Sequence, residues 1–243
     1  MPEGLVASGV TAGYVSGLPV IREVSVTARA GALTVIIGPN GAGKSTLIKA
    51  VAGLVPMSAG RVTLGPEDIT GLRTDEMGRH GLAYVPQSDN VFRTLTIAQN
   101  LDLVLRRLDR ARAAARRDAL MAQFPILAEK RADRAATLSG GQRQVLAVAM
   151  ALANEPTAIL MDEPSAGLSP RAAQEVLEET RALTRRGVTV LLVEQNVSQA
   201  LRLADHCYIL ADGRNQLDGP AADLLGDPVV SEIYLGGKRV AAP

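Results

Sequence analysis

A glycine-rich stretch near the start of the chain has the residue types that bind phosphate. It reads Gly38-Pro39-Asn40-Gly41-Ala42-Gly43-Lys44-Ser45-Thr46 and follows the apolar run Leu33–Ile37. Glycines let a backbone wrap its N–H groups around phosphate oxygens, and the helix predicted at Ser45–Val51 points its N-terminus at them. We expect Lys44 to bridge the β- and γ-phosphates of a nucleotide and the Ser45 hydroxyl to bind Mg²⁺. A chance glycine-rich turn is the alternative, and the strand before it and the helix after it disfavour that interpretation.

Two adjacent carboxylates, Asp162 and Glu163, follow the apolar strand predicted at Ala158–Met161. Proteins with parallel sheets bind ligands at the carboxyl ends of their strands. We expect Asp162 to hold Mg²⁺ through water and Glu163 to face the γ-phosphate. There a carboxylate can orient the attacking water and deprotonate it as a general base. The alternative is a strand that ends in two solvated acids, which the phosphate-binding loop disfavours.

A third motif, Leu138-Ser139-Gly140-Gly141-Gln142, stands immediately before a predicted helix. A helix N-terminus with glycines around it can bind an anion. The same residues can also form an ordinary helix cap with a flexible approach, and their chemistry alone leaves both interpretations open.

The composition fits a folded globular protein and argues against several other classes. Of the 243 residues 47% are apolar and the formal net charge is +1, which argues against disorder and against nucleic-acid binding. Cys207 is the only cysteine, so an internal disulfide is excluded and a reducing cytoplasm is expected. No apolar run approaches the roughly 18 residues that span a bilayer, and no secretory signal is recognised. We therefore expect any membrane role to depend on a partner chain.

The elements that must position these motifs alternate between strands and helices. Short strands are predicted within residues 5–30 and at 33–37, 61–64, 82–85, 158–161 and 188–193, with a terminal hairpin of 207–210 and 215–218. Helices are predicted just after Ser139 and at Pro170–Arg185, and residues 97–131 have a helical pattern that Pro125 interrupts. We predict one α/β domain over residues 1–243, with a core of about 1–87 and 136–243 and an inserted helical subdomain of about 88–135.

The three motifs in this order resemble the ATP-binding subunits of ABC transporters, and the resemblance covers nearly the whole chain. It implies a P-loop NTPase core of ABC ATPase type with an inserted helical subdomain and an antiparallel β subdomain. It identifies Leu138–Gln142 as the signature, which in this family closes over the ATP held by the phosphate-binding loop of a second subunit. A dimer with two ATP molecules between its subunits is therefore expected, and a lone subunit would be catalytically incomplete.

Other positions match the family pattern one by one. Gln87, in Tyr84-Val85-Pro86-Gln87, matches the glutamine that contacts the metal and water and reports to the membrane partner. Tyr14 matches the aromatic residue that stacks on adenine, although a tyrosine before a turn can equally serve packing. Ser165-Ala166-Gly167-Leu168 matches the segment that crosses the dimer interface, and it departs from the commoner form by having Gly167 in place of a bulkier residue.

Gln195 is the main departure from the family. A histidine that contacts the γ-phosphate usually follows the strand predicted here at 188–193, whereas this chain has Glu194-Gln195-Asn196. The only histidines, His80 and His206, lie elsewhere and are interpreted as surface or loop residues. A glutamine amide can donate a hydrogen bond but carries no positive charge. We hypothesise that Gln195 keeps the γ-phosphate contact and makes hydrolysis slower and less sensitive to pH.

Several stretches resemble one subgroup, the Liv F-type ATPase subunits of branched-chain amino-acid importers. These are residues 163–170, Leu192–Asn196 and the ending Ile233-Tyr234-Leu235-Gly236-Gly237. The resemblance implies a second, different ABC ATPase, two membrane permeases and an extracytoplasmic solute-binding protein, with this chain on the cytoplasmic face of the inner membrane. Related systems for urea or amide uptake, lipopolysaccharide-export ATPases and a soluble non-transport ABC ATPase remain alternatives. A generic P-loop kinase is a further reading, which the signature and Glu163 disfavour.

Overall fold

A mixed six-stranded sheet forms the centre of the molecule. In a computed structural model that describes residues 4–227 and 230, its strands are β3 (Leu33–Ile37), β6 (Leu82–Val85), β7 (Ala158–Asp162), β8 (Thr189–Val193), β9 (His206–Ala211) and β10 (Arg214–Pro220). They lie in the order β10-β9-β3-β8-β7-β6, and all neighbours are parallel except the hairpin of β9 and β10. Every residue of β3, β7 and β8 is buried, as expected for parallel strands that are covered on both faces.

An antiparallel sheet lies beside the central one. It contains β1 (Leu5–Ala12), β2 (Ile21–Ala28), β4 (Met57–Leu64) and β5 (Glu67–Asp68), in the order β2-β1-β4-β5. Helix α1 (Lys44–Val51) lies between the two sheets, since its Leu47 and Ile48 share one apolar cluster with Val24 of β2 and Leu160 of β7. This packing holds the start of α1 firmly, and the phosphate-binding loop leads directly into that start.

The short helix α2 (Thr74–Met77) packs into the same apolar cluster as α1 through Met77. The other helices cover the opposite face of the central sheet and its edges. They are α3 (Ile97–Leu105), α4 (Arg110–Gln123), α5 (Pro125–Glu129), α6 (Gly140–Leu152), α7 (Pro170–Thr184), α8 (Val197–Leu203) and α9 (Ala221–Leu224). A second apolar cluster joins α3 to α6 and to β3, β7 and β8. Among the helices of the described residues, none has the length and apolar character needed to cross a membrane.

The observed elements confirm the predicted α/β fold and correct several details. Strand β4 begins at Met57 rather than Arg61, and the helical pattern of 97–131 is three helices, of which the last begins at Pro125. Helices α2, α8 and α9 had no counterpart in the prediction. His206 lies in strand β9 and is only partly exposed, so it is not a loop residue. The ending at 233–237 lies outside the described residues.

Candidate functional site

The phosphate-binding loop has the curled backbone that its glycines predict. Gly43 has φ +93°, and a Cβ atom there would lie 2.4 Å from Cγ2 of Ile21, so only glycine fits. At Gly38 a Cβ atom would lie 2.1 Å from the carbonyl oxygen of Leu210. The loop lines a cavity of about 190 Å³ with Asn40, Gly41, Ala42, Gly43, Lys44, Ser45, Thr46, Val20 and Glu163. The fold therefore presents a run of backbone N–H groups and a helix N-terminus to one small cavity, as a phosphate site requires.

Lys44 is held inside the loop. Its Nζ donates to the carbonyl oxygens of Gly38 at 2.8 Å and Pro39 at 3.1 Å, and the residue is 5% exposed. Burial lowers the pKa of Lys44, and the negative charges of Glu163 and Asp162 oppose that shift. An ammonium group whose partners are neutral carbonyls keeps its charge available for an anion.

Ser45 and Asp162 meet at the carboxyl end of β7. The Ser45 hydroxyl donates to Oδ1 of Asp162 at 2.9 Å. Burial raises the pKa of Asp162, and the hydrogen bond from Ser45 opposes the rise. A hydroxyl and a carboxylate are the hard oxygen ligands that Mg²⁺ prefers. In the described part of the chain no group of three or more His, Cys, Asp or Glu side chains could hold a metal, so a cation here would need phosphate and water oxygens as well.

The hydroxyl of Tyr84 is buried close to this pair. Among the described residues it has no hydrogen-bond partner of ordinary geometry. Burial raises the pKa of Tyr84, and the charge of Asp162 adds to that rise, so the phenol stays protonated. Tyr84 therefore keeps an unused donor near Asp162.

Glu163 is the point where three predicted site residues meet. Its Oε2 accepts a hydrogen bond from Nε2 of Gln87 at 2.8 Å and another from Nε2 of Gln195 at 2.7 Å. The residue is 6% exposed, its φ is +48°, and its N–H donates to the carbonyl oxygen of Val193. A non-glycine residue in this left-handed region is uncommon, and such strain clusters at functional sites. The structure thus brings Gln87 and Gln195 together on the carboxylate expected to act as the base.

Glu194 is a residue of this region that the sequence prediction missed. It is 1% exposed and accepts hydrogen bonds from the N–H and hydroxyl of Ser165 and from the N–H of Gln195. Burial raises the pKa of Glu194, and the hydrogen bonds from Ser165 and Gln195 oppose that rise. The pairing of β7 with β8 explains its position. Asp162 and Val193 are partners in that register, so the next residues, Glu163 and Glu194, start their loops side by side.

The signature forms a helix cap. The Ser139 hydroxyl accepts from the N–H of Gln142, and the Gln142 side chain accepts from the N–H of Ser139, at the start of α6. Leu138 is buried, and a Cβ atom on Gly140 would lie 2.6 Å from Cδ2 of Leu168. Within residues 4–227, no hydrogen bond joins these five residues to the phosphate-binding loop. Gly141 and its neighbours in the motif instead line a separate cavity of about 430 Å³.

Tyr14 lies in the turn between β1 and β2, and 59% of the residue is exposed. Its ring therefore does not pack in the core, which removes the packing alternative. Val15 and Leu18, which pair across the same turn, are also exposed. This turn leads into Val20, which lines the phosphate cavity.

Comparison with known proteins agrees with this geometry. The family model described as ABC transporter matches residues 21–166, which include the phosphate-binding loop, the signature and both carboxylates. The chain is 39% identical to the branched-chain amino acid transport ATP-binding protein BraG of Pseudomonas aeruginosa, over 92% of this chain and 96% of that protein. It is also 39% identical to the probable branched-chain amino acid transport protein LivF of Archaeoglobus fulgidus, over 93% and 95%.

Two further comparisons extend this result. The lipopolysaccharide export ATP-binding protein LptB of Escherichia coli K12 is 35% identical over 90% of this chain and 92% of its own. Among solved structures, the ADP conformation of MJ1267, an ATP-binding cassette of an ABC transporter, superposes with a TM-score of 0.85 at 28% identity, over 97% of this chain and 100% of that one. The predicted ABC ATPase fold is thereby confirmed, and this chain belongs to the ATP-hydrolysing subunits of ABC transporters.

Proposed function

We propose that this chain is the ATP-hydrolysing subunit of an importer for branched-chain amino acids. The observation that carries the proposal is the arrangement around Glu163, where Gln87, Gln195 and the phosphate cavity meet. The solute class rests on the names of BraG and LivF, the relatives with 39% identity over more than nine tenths of this chain.

The phosphate cavity supplies the contacts that ATP needs. The backbone N–H groups of residues 40–46 would surround the phosphates, Lys44 would bridge the β- and γ-phosphates, and Tyr14 offers its exposed ring to adenine. Ser45 and Asp162 are the residues that would hold Mg²⁺, with Gln87 as a further oxygen ligand. When bound, Mg²⁺ neutralises phosphate charge.

Glu163 is placed to activate water. Both amide donors, from Gln87 and Gln195, reach the same oxygen, Oε2. In the described chain no hydrogen bond reaches the other oxygen, Oε1, so that oxygen accepts the proton of the attacking water. The water oxygen then attacks the γ-phosphorus, the bond to the β-phosphate oxygen breaks, and ADP and phosphate leave. Gln195, which donates to Glu163 at 2.7 Å, would share its amide between that carboxylate and the γ-phosphate.

The signature requires a second subunit in this proposal. Its residues line a cavity other than the phosphate cavity of the same chain, so they complete a site only in another subunit. We propose a heterodimer with a second, different ABC ATPase, which ATP binding closes and hydrolysis reopens. Two permeases and an extracytoplasmic binding protein complete the importer, and the chain binds the cytoplasmic face of the inner membrane through the permeases.

A groove beside Gln87 is the proposed route to the permease. Its volume is about 300 Å³, and its walls come from residues 87–91 and Arg93, from Arg143 and Gln144 of α6, and from Gly167 and Leu168. It therefore lies where the proposed helical subdomain, about 88–135, meets the core. Displacement of Gln87 by a permease segment in this groove would change the hydrogen bond on Glu163.

Lipopolysaccharide export is the second candidate, since LptB is 35% identical over 90% of this chain. Purification of the tagged protein from its native membranes in mild detergent separates the two. Two permeases with a second, different ABC ATPase support the importer, and uptake of labelled leucine should then depend on this chain. Recovery with lipopolysaccharide-transport subunits, or as a homodimer without any permease, would overturn the importer and leave the ATPase assignment in place.

A further inference from the structure

The loops that follow β7 and β8 exchange hydrogen bonds at their carboxylates. Asp162 pairs with Val193 in the parallel register, so the next residues, Glu163 and Glu194, start their loops at the same level. Gln195 from the second loop donates to Glu163 of the first at 2.7 Å. In the opposite direction, Ser165 from the first loop donates to Glu194 of the second.

Glu194 is the more buried of the two carboxylates and the more fully satisfied. Its Oε1 accepts from the N–H of Ser165 at 3.1 Å, and its Oε2 accepts from the Ser165 hydroxyl at 2.8 Å and from the Gln195 N–H at 3.2 Å. Its own N–H donates to the carbonyl oxygen of Ile36 in β3 at 3.2 Å. A charged group that is 1% exposed is costly unless hydrogen bonds compensate it, and here all of its side-chain bonds come from these two loops.

The two hydrogen-bond partners of Glu194, Ser165 and Gln195, belong to different parts of the proposed site. Ser165 begins the segment 165–168, which is expected to cross the dimer interface, and Leu168 contacts the signature helix near Gly140. Gln195 holds the carboxylate of Glu163. A movement of segment 165–168 would therefore displace the Glu194 side chain through its hydrogen bonds to Ser165. Because Glu194 also accepts from the N–H of Gln195, the backbone of Gln195 would move with it.

We propose that Glu194 is a positioning residue, which ties segment 165–168 to Gln195 and so sets the position of Glu163 according to the state of the dimer interface. This inference rests on the proposed role of Glu163 as the base. Glu194 does not line the phosphate cavity, so its proposed effect is indirect. Its loss should lower kcat for ATP hydrolysis and leave KM for ATP nearly unchanged, because the phosphate cavity does not include it.

The test compares variants in the complex that co-purifies with the tagged full chain, whatever its partners are. Ser165→Ala removes the hydroxyl that bonds Glu194, and Ser165→Thr keeps a hydroxyl at this partly exposed position. Glu194→Gln keeps the size of the side chain and removes its charge. Asp205→Asn is the matched control, since Asp205 also accepts a backbone N–H, that of Leu33, but lies at the opposite end of the sheet.

We expect Glu194→Gln to lower kcat about tenfold or more, Ser165→Ala to lower it less, and Ser165→Thr to restore it, with KM within about twofold. Asp205→Asn should keep the parent kcat. The double variant Ser165→Ala with Glu194→Gln should be no slower than Glu194→Gln alone, because both changes break one contact. If Glu194→Gln does not fold, the kcat values of Ser165→Ala and Ser165→Thr test the proposal by themselves.

Two results would overturn the proposal in different ways. If Glu163→Gln abolishes turnover while the Ser165 and Glu194 variants stay within twofold of the parent, or if their effects multiply in the double variant, Glu194 has no positioning role. If Glu163→Gln hydrolyses ATP at the parent rate, the proposed base is wrong and the positioning role fails with it.

Discussion

Replacing Gln195 with histidine would put a titratable group beside Glu163, at the position where most ABC ATPases have one. The parent amide lies 2.7 Å from Oε2 of Glu163 and carries no charge at any pH. An imidazole has an ordinary pKa of about 6.5 and changes charge in the range where ATPase assays are run. The variant should therefore acquire a pH dependence that the parent lacks.

The size of the effect follows from the surroundings of Gln195. Two charges about 4 Å apart attract by about 4 kcal/mol at an effective dielectric constant of 20 and by about 1 kcal/mol in bulk water. Gln195 is exposed, so the lower value, about 1 kcal/mol, applies, and this corresponds to about 0.7 pKa unit. The pKa of the introduced imidazole should then be raised from about 6.5 to about 7.2. A raised pKa means that the cation is present below that pH and is lost as the pH rises through it.

The assay is ATP turnover of the Gln195→His variant and the parent at pH 6.5 and pH 8.5. If the imidazolium stabilises the transition state by about 1 kcal/mol, the protonated variant should turn over about fivefold faster. Since protonation is incomplete at pH 6.5, the ratio of kcat at pH 6.5 to kcat at pH 8.5 should be about fourfold higher in the variant than in the parent. Gln195→Asn is the matched control, because it changes the reach of the amide and adds no titratable group. Unchanged turnover together with an unchanged pH ratio would refute the reasoning.

Three further predictions address the phosphate cavity, the base and the fold. Lys44→Ala should weaken ATP binding roughly 100-fold, because a charged hydrogen bond to phosphate is lost, and titration with a fluorescent nucleotide measures it. Glu163→Gln should keep ATP binding, lower turnover at least roughly 100-fold and trap a closed dimer that light scattering detects; turnover at the parent rate would contradict the base. Burial raises the pKa of Asp205, but the hydrogen bonds from Arg181 and the Leu33 N–H outweigh it and lower the pKa overall. Asp205→Asn should therefore reduce the free energy of unfolding by about 0.5–1 kcal/mol near pH 7, a small value because the ion pair is partly exposed. Because a lowered pKa stabilises the fold only above it, this difference should narrow in denaturant titrations as the pH falls below about 4; a difference that stays constant would show that the charge of Asp205 has no part in it.

The elements with a strong local signal were predictable from the sequence. Strands β3, β7 and β8 are largely apolar because both of their faces are buried. The predicted first residues of β3 and β7, Leu33 and Ala158, are also the observed ones. The phosphate-binding loop was predictable because close contacts require its glycines, with a backbone carbonyl at Gly38 and with a side chain at Gly43. The cap at Ser139 also follows from local hydrogen bonds alone.

The details that depend on tertiary contacts were not predictable in the same way. The extra residues of β4 from Met57 onward are mostly exposed, so no alternation marked them, and pairing with β1 determines that strand. Helix α2 has only four residues and too little periodicity to detect. The sequence analysis assigned no role to Glu194, since only the neighbouring strand β7 and the loop after it make this residue a buried acceptor for Ser165.

The missing histidine acquires a physical meaning from this geometry. Two neutral amides, from Gln87 and Gln195, hold one oxygen of Glu163, so they orient the carboxylate without neutralising its charge. A cationic donor at the same place would add a positive charge, shared between the carboxylate and the γ-phosphate. The activity of a site with Gln195 should therefore depend more on the position of the Glu163 carboxylate than on a positive charge beside it. The loops that follow β7 and β8 set that position. For this reason we expect the proposed positioning by Glu194 to contribute more to ATP turnover in this chain than it would in a chain with a histidine at position 195.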